Sequence, residues 1–292
     1  MTLEKKLEEK AFAVLAEFEP PKGADFSEML NNAVNVKGRI DAFVVPEMAS
    51  AVMKASSLGG SLFLQINGLE TVVQVCCRDR NRLALQADIL SAAALGIRNL
   101  MVVKGDDIAV GDHPQARAVN DLDLFELLDV IKQLQAGKDM AGIELKGSPR
   151  FLVGSTFNAG AQGGLLDLEF DELEKKAASG VKFIITTPVF DLKILERILK
   201  RLDTTKIALI PKVLLLKSAG MARYMNRNIK NISIPEVFIK SIQRAPDKPQ
   251  ECIKIAAELI RQIRKLGLPG VVISTIGWED KLPQLLDESD IS

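Results

Sequence analysis

Two carboxylates stand at the ends of apolar segments, where a strand would deliver them to a pocket. Glu17 lies in the apolar run 13–19, two residues after Leu15, so the two side chains should share one face of a strand. Burial among apolar groups raises the pKa of a carboxyl, which suits it to proton donation. A salt-bridged or rim carboxylate is the structural alternative. Asp106 follows a glycine at the end of the run 97–103, where a turn or capping aspartate is the alternative.

The scarcity of histidine and cysteine directs acid–base chemistry to these carboxylates. The single histidine, His113, lies in a predicted loop. The cysteines Cys76, Cys77 and Cys252 have no CxxC spacing, so we predict no metal site, no disulfide framework and a reducing compartment. The charged N-terminus lacks an apolar signal core, and a cytoplasmic protein is expected.

Three further features have structural explanations as well as chemical ones. Adjacent Cys76 and Cys77 should point to opposite faces of a strand, and buried core residues are favoured over a redox pair. The basic segment 77–82 would suit a phosphate, but solvated loop charges explain it equally well. Lys176 lies in a predicted helix, where a solvated surface lysine is the ordinary expectation.

The composition is that of a globular enzyme. The 292 residues are 47% apolar and 26% charged, and 38 basic side chains balance 38 acidic ones. This apolar content excludes disorder, and the absence of net positive charge argues against a nucleic-acid partner. No apolar run reaches the roughly 18 residues of a membrane span. We expect a single catalytic domain over 1–292, with 1–10 a polar N-terminal extension.

Apolar runs and helical patterns alternate along the chain. The predicted strands are 13–19, 41–46, 71–77, 97–103, 150–157, 181–187, 206–211 and 270–275. Helical patterns separate them, with a Gly59-Gly60 break predicted inside 49–66 and extra helices over 218–226, 234–244 and 249–266 before the last strand. Eight such units predict a (β/α)8 barrel, a TIM barrel. A doubly wound open sheet is the alternative, although no GxGxxG follows the first strand.

In a barrel of this type, the active site lies at the C-terminal ends of the strands. The polar residues at those ends are Glu17, Glu19, Gln74, Cys76, Lys104, Asp106, Ser155, Thr156, Asn158, Thr186, Thr187, Lys212, Ser274 and Thr275.

Several segments resemble, in the same order, segments of the methylenetetrahydrofolate reductase family, in its flavin-dependent, bacterial single-domain type. They are EFEPPKG (17–23), QVCCRDRNRLALQADILSAAALGIRNLMVVKGDD (74–107), NDLDLFELL (120–128), VGSTFN (153–158), KKAASGVKFIITTPVFD (175–191), IPKVLLLKSAGMARYMN (210–226) and IPEVFIKSIQRAPD (234–247). The similarity runs from about residue 11 to residue 276, nearly the whole chain.

This resemblance implies an FAD-dependent conversion of 5,10-methylenetetrahydrofolate to 5-methyltetrahydrofolate, or the reverse. The family's glutamate in E-F-x-P-P acts as the general acid that opens the imidazolidine ring, and here it is Glu17. The family's aspartate after strand 4 lies near flavin and pterin, and here it is Asp106.

The resemblance also implies the residues that contact the cofactor. Gln74 and Cys76 match the strand 3 end near the flavin, and Lys176 matches a helix lysine near the phosphates. The family's strand 5 end lies near the flavin ring or ribityl chain, and the matching residues here are Ser155, Thr156 and Asn158.

Departures from the family pattern cluster on the substrate side. Thr187 replaces the glutamine that contacts folate, and threonine is too short for the same paired amide hydrogen bonds. Cys76 replaces a threonine, and Leu214-Leu215 replaces Leu-Pro. These changes leave FAD binding as the expectation and make the pose of the pterin an open question.

The electron donor is either NAD(P)H or an iron–sulfur partner protein, which would bring its own cluster because three cysteines cannot hold a four-cysteine one. A homo-oligomer and a hetero-complex both remain open. Two alternative functions are a pterin-binding methyltransferase acting with a corrinoid protein and a non-catalytic barrel subunit of a redox complex. Glu17 argues against the first. Thr187 slightly favours the second, whereas the retention of both Glu17 and Asp106 opposes it.

Overall fold

Parallel strands dominate the architecture. The computed structural model describes residues 1–291, and within them eight parallel strands close into one barrel in sequence order. The strands are β1 (Ala13–Glu17), β2 (Ala42–Val45), β3 (Thr71–Cys76), β4 (Asn99–Val103), β5 (Leu152–Phe157), β6 (Phe183–Pro188), β7 (Ala208–Leu214) and β8 (Gly270–Ser274). Each overlaps one predicted run, so the (β/α)8 barrel is confirmed.

Helices follow the strands and cover the barrel, except the first helix, which precedes β1. They are α1 (Leu3–Glu8), α2 (Ser27–Asn35), α3 (Ser57–Ile66), α4 (Arg82–Ala94), α5 (Leu124–Gln135), α6 (Gly164–Ala178), α7 (Leu192–Leu199), α8 (Ala219–Asn228), α9 (Glu236–Arg244), α10 (Lys248–Lys265) and α11 (Leu282–Glu288). Helices α8 to α10 confirm the predicted extra helices before β8. In the described part of the chain, no helix has both the length and the apolar character needed to cross a bilayer.

The core has two layers because successive strand residues point to opposite faces. One layer lies between the strands and the helices, and the other fills the barrel. The inner layer includes Leu15, Val72, Phe183 and Val272. A Cβ atom at Gly154 would lie 2.2 Å from the Phe183 ring, so glycine at this position leaves room for that ring inside the barrel.

The N-terminal segment closes the bottom of the barrel. Within the predicted polar extension 1–10, helix α1 buries Leu3 completely against the inner core layer. The backbone N–H of Leu3 donates to the carboxylate of Glu70 at 3.0 Å. This short helix therefore packs on the end of the barrel opposite the strand ends that carry the candidate site.

The predicted helix break at Gly59-Gly60 is wrong, because both glycines lie inside α3. A Cβ atom at Gly60 would lie 2.9 Å from Cγ of Pro20 and 3.1 Å from Cγ1 of Val45. Gly60 therefore lets α3 approach the segment after β1, and this packing positions the chain that follows Glu17.

Candidate active site

Glu17 lies at the mouth of the barrel and is held by two neighbouring strands. Ser274 pairs in register with Glu17 across β1 and β8, and its hydroxyl donates to Oε1 at 2.8 Å. The ammonium of Lys212, from β7, donates to Oε2 at 2.5 Å. The Glu17 side chain is only 13% exposed. Both carboxylate oxygens are therefore fixed, and the carboxylate cannot rotate freely.

The expected rise in the Glu17 pKa is wrong. Burial acts to raise the pKa, but the charge of Lys212 and the hydrogen bonds from Lys212 and Ser274 outweigh it. The pKa of Glu17 therefore lies below its ordinary value, and this carboxyl is ionised at neutral pH. Glu17 is therefore salt-bridged, as the structural alternative expected, but it lies largely buried in the mouth.

Asp106 lies on the loop after β4 and is exposed. Its carboxylate accepts a hydrogen bond from the backbone N–H of Ser50 at 2.6 Å, and its carbonyl oxygen accepts one from Arg78 at 3.0 Å. Arg78 is 4% exposed and donates two further hydrogen bonds to Asp79, at 2.6 and 2.8 Å. The CRDR segment thus supports the Asp106 loop from below, which is a structural role that the sequence did not indicate.

The β3 residues occupy different depths. Gln74 is half-buried and accepts from the backbone N–H of Glu47 at 3.2 Å. Cys76 is fully buried beneath Gly105, and burial raises the pKa of its thiol to about 11. Cys77 packs in the outer core layer instead, with a thiol pKa raised to about 12 by burial. The prediction that both cysteines are buried core residues is confirmed.

The β5 residues divide between the two faces of the strand. Ser155 is fully buried, and its hydroxyl donates to the carbonyl of Val102 at 3.0 Å. It shares the helix-facing side with Val153, so its side chain points away from the barrel mouth in which its contact with the cofactor was predicted. Thr156 is exposed on the opposite face. The Asn158 side chain accepts from the backbone N–H of Gly160 at 3.2 Å and remains partly exposed.

Lys176 is not the solvated surface lysine that its helical position suggested. It is 3% exposed, and its ammonium donates to the carbonyl of Thr156 at 2.9 Å. Burial lowers the pKa of Lys176, against the opposing effect of the carboxylates of Glu172 and Glu169. Lys176 therefore joins α6 to the end of β5, and Lys104, with a side chain 64% exposed, is the more accessible cation near this edge.

Thr187 is used within the protein. Its hydroxyl oxygen accepts a hydrogen bond from the backbone N–H of Ala159 at 3.1 Å, which ties the loop after β5 to β6. The side chain is half-buried. Thr187 therefore fixes the loop after β5. The sequence predicted a contact with substrate for this residue and did not indicate this structural role.

Two functional neighbours of Glu17 were not predicted. Lys212 and Ser274 were recognised as strand ends, but neither was assigned a role. The alternation Ala208, Ile210, Lys212 would have placed the lysine inside the barrel, because Ile210 belongs to the inner core layer.

A second unpredicted group is the buried carboxylate of Glu47, which accepts hydrogen bonds from Arg80 at 3.1 and 3.2 Å.

Cavities flank the mouth at the ends of β4 and β6. The first has a volume of about 490 Å³ and is lined by residues that include Arg78, Lys104, Asp106 and Asn120. The second, of about 330 Å³, is lined by residues that include Gly160, Pro188, Arg197 and Asn231.

The groups at the ends of β3 to β5 fit a flavin. A flavin ring requires hydrogen-bonding partners along its polar edge, and its pyrophosphate favours nearby cations. Gln74 and Asn158 offer amides, Thr156 offers an exposed hydroxyl, and Asp106 offers a carboxylate that suits amide donors. Lys104 supplies an exposed positive charge.

The family comparison agrees with this arrangement. The profile of the family described as methylenetetrahydrofolate reductase matches residues 2–290. Its members are oxidoreductases of folate one-carbon reduction and are generally flavin-dependent. Because the match covers nearly the entire chain, this protein belongs to the methylenetetrahydrofolate reductase family.

Proposed function

We propose that this enzyme interconverts 5,10-methylenetetrahydrofolate and 5-methyltetrahydrofolate with FAD as its cofactor. The observation that carries the proposal is the fixed, largely buried carboxylate of Glu17, which faces across the barrel mouth from the polar ends of β3 to β5. Such an arrangement places a proton-handling group on one side of a substrate and hydrogen-bonding groups for a flat cofactor on the other.

Glu17 would act on the imidazolidine ring of the folate. Opening this ring requires a proton on the departing nitrogen, and a carboxyl group within hydrogen-bond reach is suited to deliver it. Ser274 and Lys212 hold the carboxylate in one orientation, which reduces the entropy that would be lost on reaching the transition state. Bound FAD would supply the hydride for the methylene carbon.

The flavin would be held by groups from three strands. Gln74 and Thr156 would contact the ring or ribityl chain, together with Asn158, and Cys76 would support the site from beneath Gly105. Lys104 and Lys176 would provide positive charge near the pyrophosphate. The ammonium of Lys176 is buried and donates to the carbonyl of Thr156 at the end of β5. In this proposal its positive charge acts from that position.

The folate would lie between Glu17, Asp106 and Thr187. The Asp106 carboxylate suits the amino edge of a pterin, which presents only donors at that position. Thr187 would contact the pterin through its hydroxyl, which lacks the second hydrogen-bonding group of an amide.

The source of electrons is NAD(P)H or an iron–sulfur partner protein. The three cysteines are free and buried in the described structure, which supports a reducing location such as the cytoplasm. An iron–sulfur partner would have to carry its own cluster, because three cysteines cannot hold a four-cysteine one.

An anaerobic absorbance spectrum of the purified protein tests the proposal. We expect a flavin spectrum that bleaches when 5-methyltetrahydrofolate is added, because the folate then returns its hydride. A repeat with NADH distinguishes direct reduction from dependence on a partner. A colourless protein that does not bind added FAD would contradict the proposal.

The Glu17→Gln variant tests the assigned acid. The flavin should remain bound and reducible, because Glu17 lies across the mouth from its proposed ligands. The folate step should slow by about 100-fold or more, as expected for a lost general acid. Folate turnover near the wild-type rate in this variant would remove Glu17 from that role.

A further inference from the structure

Lys212 and Glu17 form an ion pair on one side of the mouth, although they lie far apart in the sequence. The Nζ atom of Lys212 is 2.5 Å from Oε2 of Glu17, and the two side chains are 18% and 13% exposed. Strand β8 lies between the strands that carry them and contributes Ser274 to the same carboxylate. Two largely buried charges in direct contact carry a desolvation cost, so their retention at the mouth calls for an explanation.

The pairing creates a difficulty for proton donation by Glu17 alone. A general acid must hold a proton, and the lowered pKa of Glu17 leaves it ionised at neutral pH. The neighbouring strands do not reverse this effect: β8 presents the neutral hydroxyl of Ser274, and β2 presents apolar Val44 in register with Glu17. Lys212 is the charged group set against the carboxylate, and its ammonium carries the available proton.

We propose that Lys212 supplies the proton that Glu17 delivers to the folate ring, so that the two residues act as one proton donor. The proposal rests on the proposed folate reaction. It assigns to Lys212 the role of a positioning residue that acts through Glu17, beyond the family's single glutamate.

The proton transfer balances without any oxidation. Oε2 of Glu17 first takes a proton from Nζ of Lys212. As the bond between the methylene carbon and one ring nitrogen breaks, its electron pair stays on that nitrogen, which takes this proton from Glu17. The lone pair of the other ring nitrogen forms the iminium. The net transfer runs from an ammonium to an amine. Lys212 then recovers its proton from water through its partly exposed side chain.

Substrate binding would favour this relay. A folate that covers the mouth excludes water from the pair, and a low-dielectric environment disfavours separated charges relative to the neutral acid and amine.

Two substitutions separate proton supply from simple charge. Lys212→Arg retains a positive charge, but an arginine does not release its proton in a protein. Lys212→Met removes both the charge and the proton. Lys206→Met is a matched control, because Lys206 precedes β7 and its side chain is 72% exposed.

The measurement is a single-turnover folate step, followed by flavin absorbance between about pH 5.5 and 9. At neutral pH we expect both Lys212 variants to be slower by about 100-fold, and Lys206→Met to match the wild type. Lys212→Met should recover at acid pH, because burial, then opposed only by the hydrogen bond from Ser274, raises the Glu17 pKa and lets this carboxyl take its own proton. Lys212→Arg should stay slow throughout. A wild-type rate and pH profile in either Lys212 variant would overturn the proposal.

An infrared titration of the ligand-free protein gives a readout that is independent of turnover. The Glu17 band is isolated by subtracting the spectrum of Glu17→Gln, and each Lys212 variant is compared with a matching double variant. Lys212→Met should show the protonated carboxyl at higher pH than the wild type, whereas Lys212→Arg should not. An unmoved band in Lys212→Met would overturn the proposed pairing. Failure of the wild type to react with folate would instead overturn the proposed function, and the two failures are distinguishable.

Discussion

The carboxylate of Asp106 accepts a hydrogen bond from the backbone N–H of Ser50 at 2.6 Å and so joins the loops after β4 and β2. The Ser50 segment is strained, because Met48, Ser50 and Ala51 have φ values of 44°, 55° and 55°. A left-handed conformation costs roughly 1–2 kcal/mol for a residue other than glycine. The hydrogen bond to Asp106 therefore helps to hold a conformation that the segment would not favour alone.

Substitution of Asp106 should separate this support from its role in the reaction. Asp106→Ala removes the acceptor, so amide hydrogen exchange at Ser50 should accelerate by about tenfold, corresponding to one hydrogen bond of roughly 1–1.5 kcal/mol. Asp106→Asn keeps an acceptor oxygen and should keep slow exchange. Because both variants lack the negative charge, both should bind folate more weakly. Equally fast exchange in the two variants would mean that an uncharged acceptor does not hold the loop.

Adjacent residues on β5 should respond in opposite ways to substitution. Ser155→Ala removes a buried hydrogen bond to Val102 and should lower the free energy of unfolding by about 1 kcal/mol, with flavin affinity unchanged. Thr156→Val alters an exposed hydroxyl and should weaken flavin binding with little effect on stability. Denaturant unfolding and flavin titration check both variants. Weaker flavin binding in Ser155→Ala would restore the contact first expected for that residue.

The sequence predicted the elements of the barrel well because each strand is a local apolar run. The two-residue spacing from Leu15 also placed Glu17 correctly on the inner face. The contact between Glu17 and Lys212 was beyond such reasoning. The two residues are 195 positions apart and meet only because the barrel closes through β8.

The pKa of Glu17 was mispredicted for the same reason. A local pattern shows that a carboxyl is buried, and burial alone raises its pKa. The sign of the final shift depends on the partner that a distant strand provides. Lys176 shows a related limit, because only the packing of α6 on β5 reveals that its ammonium is enclosed.

Acid should selectively remove the stability contributed by the Glu17 carboxylate. Its pKa is lower in the folded protein than in the unfolded chain, where it is about 4.3. The stabilisation is therefore present above the unfolded value and is lost as the pH falls through the folded value. Glu17→Gln should be less stable than the wild type by about 1–3 kcal/mol at pH 7.

The difference should shrink as the pH falls below about 4, because the wild-type carboxyl is then also neutral. Denaturant unfolding of both proteins at several pH values provides the measurement. Glu174→Gln on the exposed face of α6 serves as the control and should show little difference at any pH. A difference between wild type and Glu17→Gln that stays constant with pH would contradict a carboxylate stabilised by Lys212.

The two glycines of α3 should have opposite responses to alanine. Gly60→Ala places a methyl group 2.9 Å from the ring of Pro20, and overpacking of this kind costs about 1–3 kcal/mol. The gain in helix propensity, about 0.5–1 kcal/mol, does not offset this cost. Gly59→Ala has the same propensity gain and meets only the hydroxyl of Ser56, at 3.3 Å, so it should be neutral or stabilising. Thermal unfolding of the two variants checks the prediction, and a stabilised Gly60→Ala would show that α3 does not pack tightly on the segment after Glu17.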